Sequence, residues 1–220
     1  MAVVNTNANA SIAQNALARN ERAMNTAMER LSTGQRINSA SDDAAGLAIA
    51  SRMTSQIKGL ETGIRNANDA ISMISVADGA LVEVSNMLQR MRELAVQAGT
   101  GTTDSADRTY LNSEFVALRN EIDRIVDNTQ WNGRNIMDGS AGAATTTSTV
   151  AFQIGQDGVK TQTLSTTFGN FNNTTGKLSG LASKVITGTT IASAINMASK
   201  SITEIDVVIG DVSSQRATFG

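Results

Sequence analysis

The side chains that most often carry chemistry are scarce in this chain. It contains no His and no Cys, so imidazole general bases, thiol nucleophiles and the common zinc ligand sets are all unavailable. Asp42 and Asp43 are adjacent carboxylates, but at the start of a helix they point about 100° apart and cannot converge on one metal or substrate. They suit a different task. Ser41 is placed as an N-cap, with Asp42, Asp43 and Ala44 in the first helical turn, where carboxylates complement the positive end of the helix dipole. Ser and Thr are numerous, yet no Gly-x-Ser-x-Gly elbow, no Ser-x-x-Lys with its supporting motifs and no Gly-rich phosphate loop after a strand is present. No enzymatic activity, cofactor or bound metal is expected.

A second cluster, Gln89 to Gln97, suits recognition better than reaction. With Leu88, Met91 and Ala95 on one apolar seam, helical geometry turns Arg90, Glu93, Leu94 and Gln97 roughly 100° to 180° away, onto the flank or outer face. Leu94 is then an apolar residue placed off its own core. Two readings follow: an isolated surface leucine of no consequence, or the centre of a patch, with Arg90 and Gln97 one turn to either side, suited to a neighbouring subunit.

These residues need long elements to carry them. From Met53 to Ala95 apolar residues recur at steps of four and three: Met53, Ile57, Leu60, Ile64, Ala67, Ile71, Ile74, Ala77, Leu81, Val84, Leu88, Met91, Ala95. That pattern predicts one helix about 65 Å long with a single coiled-coil seam. Two three-residue steps in succession, Ile71 to Ile74 to Ala77, overwind it locally. A partner of similar length is required. Composition agrees: hydrophobic residues make up 40% and aromatics 3%, and Pro is absent where an average chain of this size carries about 11. Thin seams of Leu, Ile, Val, Met and Ala between unbroken helices are the natural use of such a chain. The formal net charge of -2 supplies no reason to expect nucleic acid or an acidic membrane as partner.

In chain order, Asn9 to Leu31 reads as an amphipathic helix with a weak stripe of Ile12, Ala16, Leu17, Met24, Ala27, Met28 and Leu31, either frayed or ordered only on assembly. Gly34 caps it and Gln35 to Ala40 connect to the long helix. Gly99 to Asp107 is a reversal. Leu111, Phe115, Leu118, Ile122 and Ile125 form a second seam, capped by Asp104 or Ser105, with Arg119, Asp123 and Arg124 outward. Asn128 to Ser183 reads as loops and short strands, with Val150 to Ile154 and Val159 to Leu164 joined through Asp157-Gly158 as a hairpin. Its candidate contacts at the end of the helical bundle are Trp131, Ile136 and Phe168. A third seam, Ile191, Ile195, Ala198, Ile202, Ile205, Ile209 and Val212, continues through Arg216 and Phe219 and is assigned as the partner of Met53 to Ala95. The fold class is mainly α: an elongated antiparallel coiled-coil bundle with a small β-hairpin region. The N-terminus has no signal-peptide pattern and no uninterrupted run of about 18 apolar residues occurs, which taken alone points to the cytoplasm.

LSTGQRINSASDDAAGLAI at Leu31 to Ile49, QRMRELAVQA at Gln89 to Ala98 and NTQWNGRNIMDG at Asn128 to Gly139 together resemble bacterial flagellin, in the same order and over most of the chain. The resemblance implies a structural subunit of the flagellar filament, of a minimal type without large outer domains. It implies a filament-core helix at 1–33 and a spoke at 34–45 containing Arg36, Ser41, Asp42 and Asp43. Coiled-coil helices would occupy 46–127 and 188–220, with a small hairpin region at 128–187 between them. It implies continuation into a C-terminal helix after Gly220. Self-assembly, a flagellar export apparatus and chaperone, extracellular localisation and a Toll-like innate immune receptor are the partners and setting implied. The receptor and protofilament contacts carry by residue match to Arg90, Leu94, Gln97 and Glu114. A hook-filament junction protein and a cytoplasmic coiled-coil adaptor are the alternatives.

Overall fold

The computed structural model describes residues 7–141, 149–156, 162–188 and 190–220. Ala2 to Thr6, the Asp157-Gly158 turn, Val159 to Thr161 and Thr189 lie outside the described residues. The chain divides into two compact units, Met1–Lys58 and Gly59–Gly220. Helix α2 (Ala44–Ala98) contributes its first residues, through Lys58, to the first unit and the remainder to the second.

The first unit is built around α1 (Ala8–Thr33), capped by the Asn7 side chain, which accepts from the Ala10 N–H at 3.2 Å. It ends where Gly34 adopts φ +68° and donates its N–H to the Arg30 carbonyl at 2.9 Å, a left-handed cap that glycine takes without steric cost. No residue of α1 is buried. Ile12, Leu17, Met24, Met28 and Leu31 are each at least 60% exposed, so the stripe read from the sequence has nothing of its own unit upon it. The cap of α2 differs from the expected one. Ser41 lies in a turn, and Asp43 is the residue whose carboxylate accepts from the Gly46 N–H at 2.8 Å while its carbonyl accepts from Leu47. Asp42 is engaged one residue earlier, accepting from the Asn38 and Ser39 N–H groups and the Ser39 hydroxyl, each at 3.2 Å. Two adjacent carboxylates thus close two successive turns, leaving the hydroxyl of Ser41 redundant as a cap.

In the second unit α2 packs with α3 (Ser105–Asn128) and α4 (Ile191–Phe219). Ala77, Leu81, Val84, Leu88, Met91 and Ala95 of α2 are all buried, as are Phe115, Ile122 and Val126 of α3 and Ala198, Ile205, Val208 and Val212 of α4. Helix α4 runs antiparallel to α2: Arg216 donates to Asp78 at 2.8 Å and Arg92 to Asp206 at 2.7 Å. Its buried face is Ala194, Ala198, Ser201, Ile205, Val208, Val212 and Gln215, partly out of phase with the predicted seam; Ile191 is 56% exposed. With 29 residues, α4 can cover only about half of the 55 in α2, because both rise at about 1.5 Å per residue. The assignment of α4 as partner of the whole seam is therefore corrected. In this unit Leu60, Ile64 and Ile71 remain exposed, as do Met53 and Ile57 in the first; spacing identifies a face but not what covers it.

Between α3 and α4 the described residues form two antiparallel pairs. β1 (Gln130–Trp131) pairs β2 (Arg134–Asn135), and β3 (Thr149–Gln153) pairs β4 (Thr163–Thr167) with Val150 opposite Thr166 and Phe152 opposite Leu164. The returning strand thus extends past Leu164 to Thr167. The hairpin docks on α2 through glycines. Gly63 is buried with the Ile154 carbonyl seated where a Cβ would stand, Gly59 lies one turn earlier under Gln156, and Asn66 donates to the Gln153 carbonyl at 2.7 Å. Of the expected contacts, Ile136 and Phe168 are buried in the core and Trp131 packs against it.

The segment after β4, without apolar periodicity, supplies Phe168, Phe171, Leu178, Leu181 and Ile186 to the core. Phe168 also meets Phe219 at 5.4 Å between ring centroids. Its backbone is tied to the helices: Arg119 donates to the Ala182 carbonyl at 2.8 Å, Ile186 donates to Asn112 at 3.0 Å and Gln215 donates to the Thr167 carbonyl at 2.8 Å. Arg119 and Asp123, expected to face outward, are half-buried and hold this segment, Asp123 by accepting from Asn173 at 2.8 Å. Burial pushes the Asp123 carboxyl up from its ordinary value, against the pull of Arg119.

Candidate interaction surface

Recognition residues need a rigid support, and here it is the reversal between α2 and α3. The last carbonyls of any helix lack intrahelical partners and carry the negative end of its dipole. Arg108 on α3 answers both: 2% exposed, it donates Nε to the Ala98 carbonyl at 3.0 Å and Nη2 to the Thr100 carbonyl at 2.7 Å. Thr103 adds a hydroxyl bond to the Gln97 carbonyl at 3.1 Å. Arg108 lies seven residues before Phe115, on the same buried face as Phe115 and Ile122; apolar spacing does not register it because its side chain is charged. Asp104 is the cap residue of α3, as expected, though its side chain makes no capping bond.

On this support Arg90 lies between two carboxylates, donating Nε to Glu114 at 2.9 Å and Nη1 to Glu93 at 3.0 Å. The two bonds, Glu93 first, raise its pKa further above the guanidinium value. Arg90, Glu93, Gln97 and Glu114 are exposed, so the structure brings Arg90 and Glu114 together on the surface. Leu94 is the exception. It is 0% exposed and belongs to the core. Its expected place off the core is corrected for a geometric reason: α2 is flanked by α3, through Arg90 to Glu114, and by α4, through Arg92 to Asp206. Two neighbours widen the buried arc beyond a single seam, so Leu88, Met91, Leu94, Ala95 and Ala98 are all covered.

The exposed apolar groups are others. Val96 is 52% exposed and lies, with Gln89, Arg92, Glu93 and Gln97, along a shallow groove of about 510 Å³. Tyr110 on α3 is 75% exposed, one turn from Glu114 toward the reversal. An exposed aromatic beside a fixed ion pair is the composition favoured at binding surfaces. Arg36, Asp42 and Asp43 belong to the first unit. Arg36 is exposed, while the two carboxylates make the turn and cap bonds described above. Hydrogen bonds from the Asn38 and Ser39 backbone, in that order, hold the Asp42 carboxyl below its ordinary value.

Residues 4–142 match the family model described as the bacterial flagellin N-terminal helical region. The chain belongs to the bacterial flagellin family. Flagellin A of Vibrio cholerae is 49% identical over 152 residues, covering 69% of this chain and 38% of that protein. A flagellin of Escherichia coli is 51% identical over 140 residues, covering 63% and 26%. The chain therefore spans less than half the length of these relatives. Among solved structures it is similar to a Bacillus cereus flagellin, with 30% identity and a TM-score of 0.55, covering 71% of this chain and 81% of that one. A flagellar hook-associated protein from Vibrio parahaemolyticus shares the fold, with a TM-score of 0.55 at 12% identity. The mainly helical architecture with small antiparallel strand pairs is that of this flagellin group.

Proposed function

We propose that this flagellin chain is a structural, non-enzymatic subunit of an extracellular flagellar filament, where its work is mechanical. The observation that carries the reading is the apolar surface left bare. Ile12, Leu17, Met24, Met28 and Leu31 on α1, and Met53, Ile57, Leu60, Ile64 and Ile71 on α2, are each more than half exposed. Ten large apolar side chains at helical spacing on water-facing helices are a liability unless copies of the same molecule cover them. Heterologous, non-closing contacts between identical subunits then generate a helical polymer. Segment 1–33 is the filament-core helix in this reading, 34–45 the spoke and 46–127 with 188–220 the coiled-coil layer; 128–187 is the small hairpin region.

Export through a dedicated flagellar apparatus with a chaperone fits a chain whose first helix lacks a buried residue. Arg90, Gln97 and Glu114 form the surface offered to neighbouring protofilaments and to a Toll-like receptor of a host, with Leu94 beneath them as support. The very low aromatic content and the lack of His and Cys support a non-enzymatic role. By length and composition α2 is long and apolar enough to cross a membrane, but its buried residues serve the protein core and its bare ones are assigned to subunit contacts.

The test is seeded assembly of the full gene product. Filament fragments should draw it into the sedimenting fraction. A full gene product indifferent to seeds would favour a coiled-coil adaptor and overturn the proposal.

A further inference from the structure

Asn132 occupies the first central position of a two-residue hairpin loop, between Trp131 and Arg134, which are paired across the strands. Asn132 has φ +50° and Gly133 φ +75°, the left-handed pair that the primed hairpin turn requires and that Asn-Gly best supplies. The same dipeptide is the one most prone to intramolecular attack, because a glycine amide nitrogen has no neighbouring side chain to shield it. It occurs once in the 220 residues. Asn132 is exposed, and the space around the Gly133 Cα is open to 4 Å. Each strand of this hairpin has only two residues, so it can open without the rest of the unit.

We infer that Asn132 is a site of spontaneous modification, converting to aspartate and isoaspartate through a cyclic imide. The Gly133 backbone nitrogen, its proton lost to water or hydroxide, bonds to Asn132 Cγ. The bond from Cγ to Nδ2 breaks, and ammonia leaves with a proton taken from solvent. Water then adds to one of the two imide carbonyls. Opening at Cγ restores the ordinary backbone with an aspartate side chain. Opening at the main-chain carbonyl leaves isoaspartate, with the backbone routed through Cγ. Net, one water is consumed and one ammonia released, and a neutral amide becomes a carboxylate.

Among the described residues, three competing sites are held. Asp78-Gly79 lies within α2, with the carboxylate accepting from Arg216. Asp138 before Gly139 accepts from the Ser140 N–H and hydroxyl. Asn112 before Ser113 lies within α3 and accepts from the Ile186 N–H. The consequence at Asn132 is local but structural. Asn132 lines a cavity of about 330 Å³ together with Asp69, Trp131 and Arg134, so the product adds a second carboxylate to that cavity. Isoaspartate also lengthens the loop by one backbone atom and disturbs the pairing of Trp131 with Arg134.

The experiment incubates the wild-type protein at mildly alkaline pH, in native buffer and in urea. Peptide mass spectrometry follows the amide-to-acid mass gain and fragmentation distinguishes isoaspartate. In native buffer conversion should appear first at Asn132, within about tenfold of its rate in the unfolded chain, together with a change in emission of Trp131, the sole tryptophan. The Asn132→Asp variant should show no such mass gain in that peptide. Native conversion slower than this margin, or appearing first at another asparagine, would overturn the inference.

Discussion

Replacing Leu94 by alanine separates two descriptions of the surface around Arg90. Spacing along α2 assigns Leu94 to the flank, where truncation alters stability by no more than about 0.5 kcal/mol. In the structure its side chain is 0% exposed among Met91, Ala95, Ala98 and the facing helices. Deleting a buried isobutyl group loses its transfer free energy and leaves a cavity, together costing about 2–5 kcal/mol. At about 2–4 °C per kcal/mol for a unit of this size, the melting midpoint should fall by roughly 7–14 °C for a mid-range loss. The assay is urea unfolding followed by circular dichroism, with Val96→Ala, from a half-exposed site, as the companion. The urea midpoint should drop for Leu94→Ala and scarcely move for Val96→Ala, with the slope unchanged in both. A loss below about 1 kcal/mol for Leu94→Ala would refute the burial and restore an exposed leucine. The proposed receptor contact is to be tested with the same variant only after this measurement, since a weakened support moves Arg90 and Gln97 as well.

Three further outcomes follow from particular contacts. Gly63→Ala places a Cβ against the Ile154 carbonyl and should destabilise by about 1–3 kcal/mol, with faster amide exchange confined first to β3 and β4. Arg108→Met leaves the Ala98 and Thr100 carbonyls without their buried donor; a loss of about 2–3 kcal/mol is expected, read by urea unfolding and by exchange in the reversal. The Asp42 carboxyl titrates below its ordinary value of 3.8. Its contribution to the 38–43 turn is therefore complete above that value and lost as pH falls through the lower folded one, a dependence that NMR of the Ser39 amide should show and Asp42→Asn should abolish.

The sequence made some features legible and not others, for reasons that particular residues show. Ala77 to Ala95 was readable because one helix face buries every third or fourth residue. Met53 to Ile71 has the same spacing and stays exposed, since periodicity is blind to whether a partner lies in the same molecule. Leu94 and Arg108 escape apolar spacing for different reasons: a helix with two neighbours buries more than a single stripe, and a guanidinium in step with Phe115 and Ile122 can be buried when backbone carbonyls satisfy it. Gly59 and Gly63 leave no mark on the apolar spacing, yet they are the seat of the hairpin. Phe168, Phe171, Leu178 and Leu181 carry no period because they anchor a loop, where order comes from tertiary packing. Of the surface residues, Arg90, Gln97 and Glu114 are exposed, and Val96 and Tyr110 emerge only from the packed helices.

The central claim is that apolar faces bare in the single chain are covered in a polymer of it, and methionine oxidation measures this directly. Met24, Met28 and Met53 are 60%, 64% and 54% exposed, whereas Met73 and Met91 are at most 5% exposed. Under brief peroxide treatment of the full gene product, the first three should oxidise quickly in monomer and be protected in filament, with Met73 and Met91 slow in both. Equal oxidation of Met24, Met28 and Met53 in monomer and filament would contradict the account.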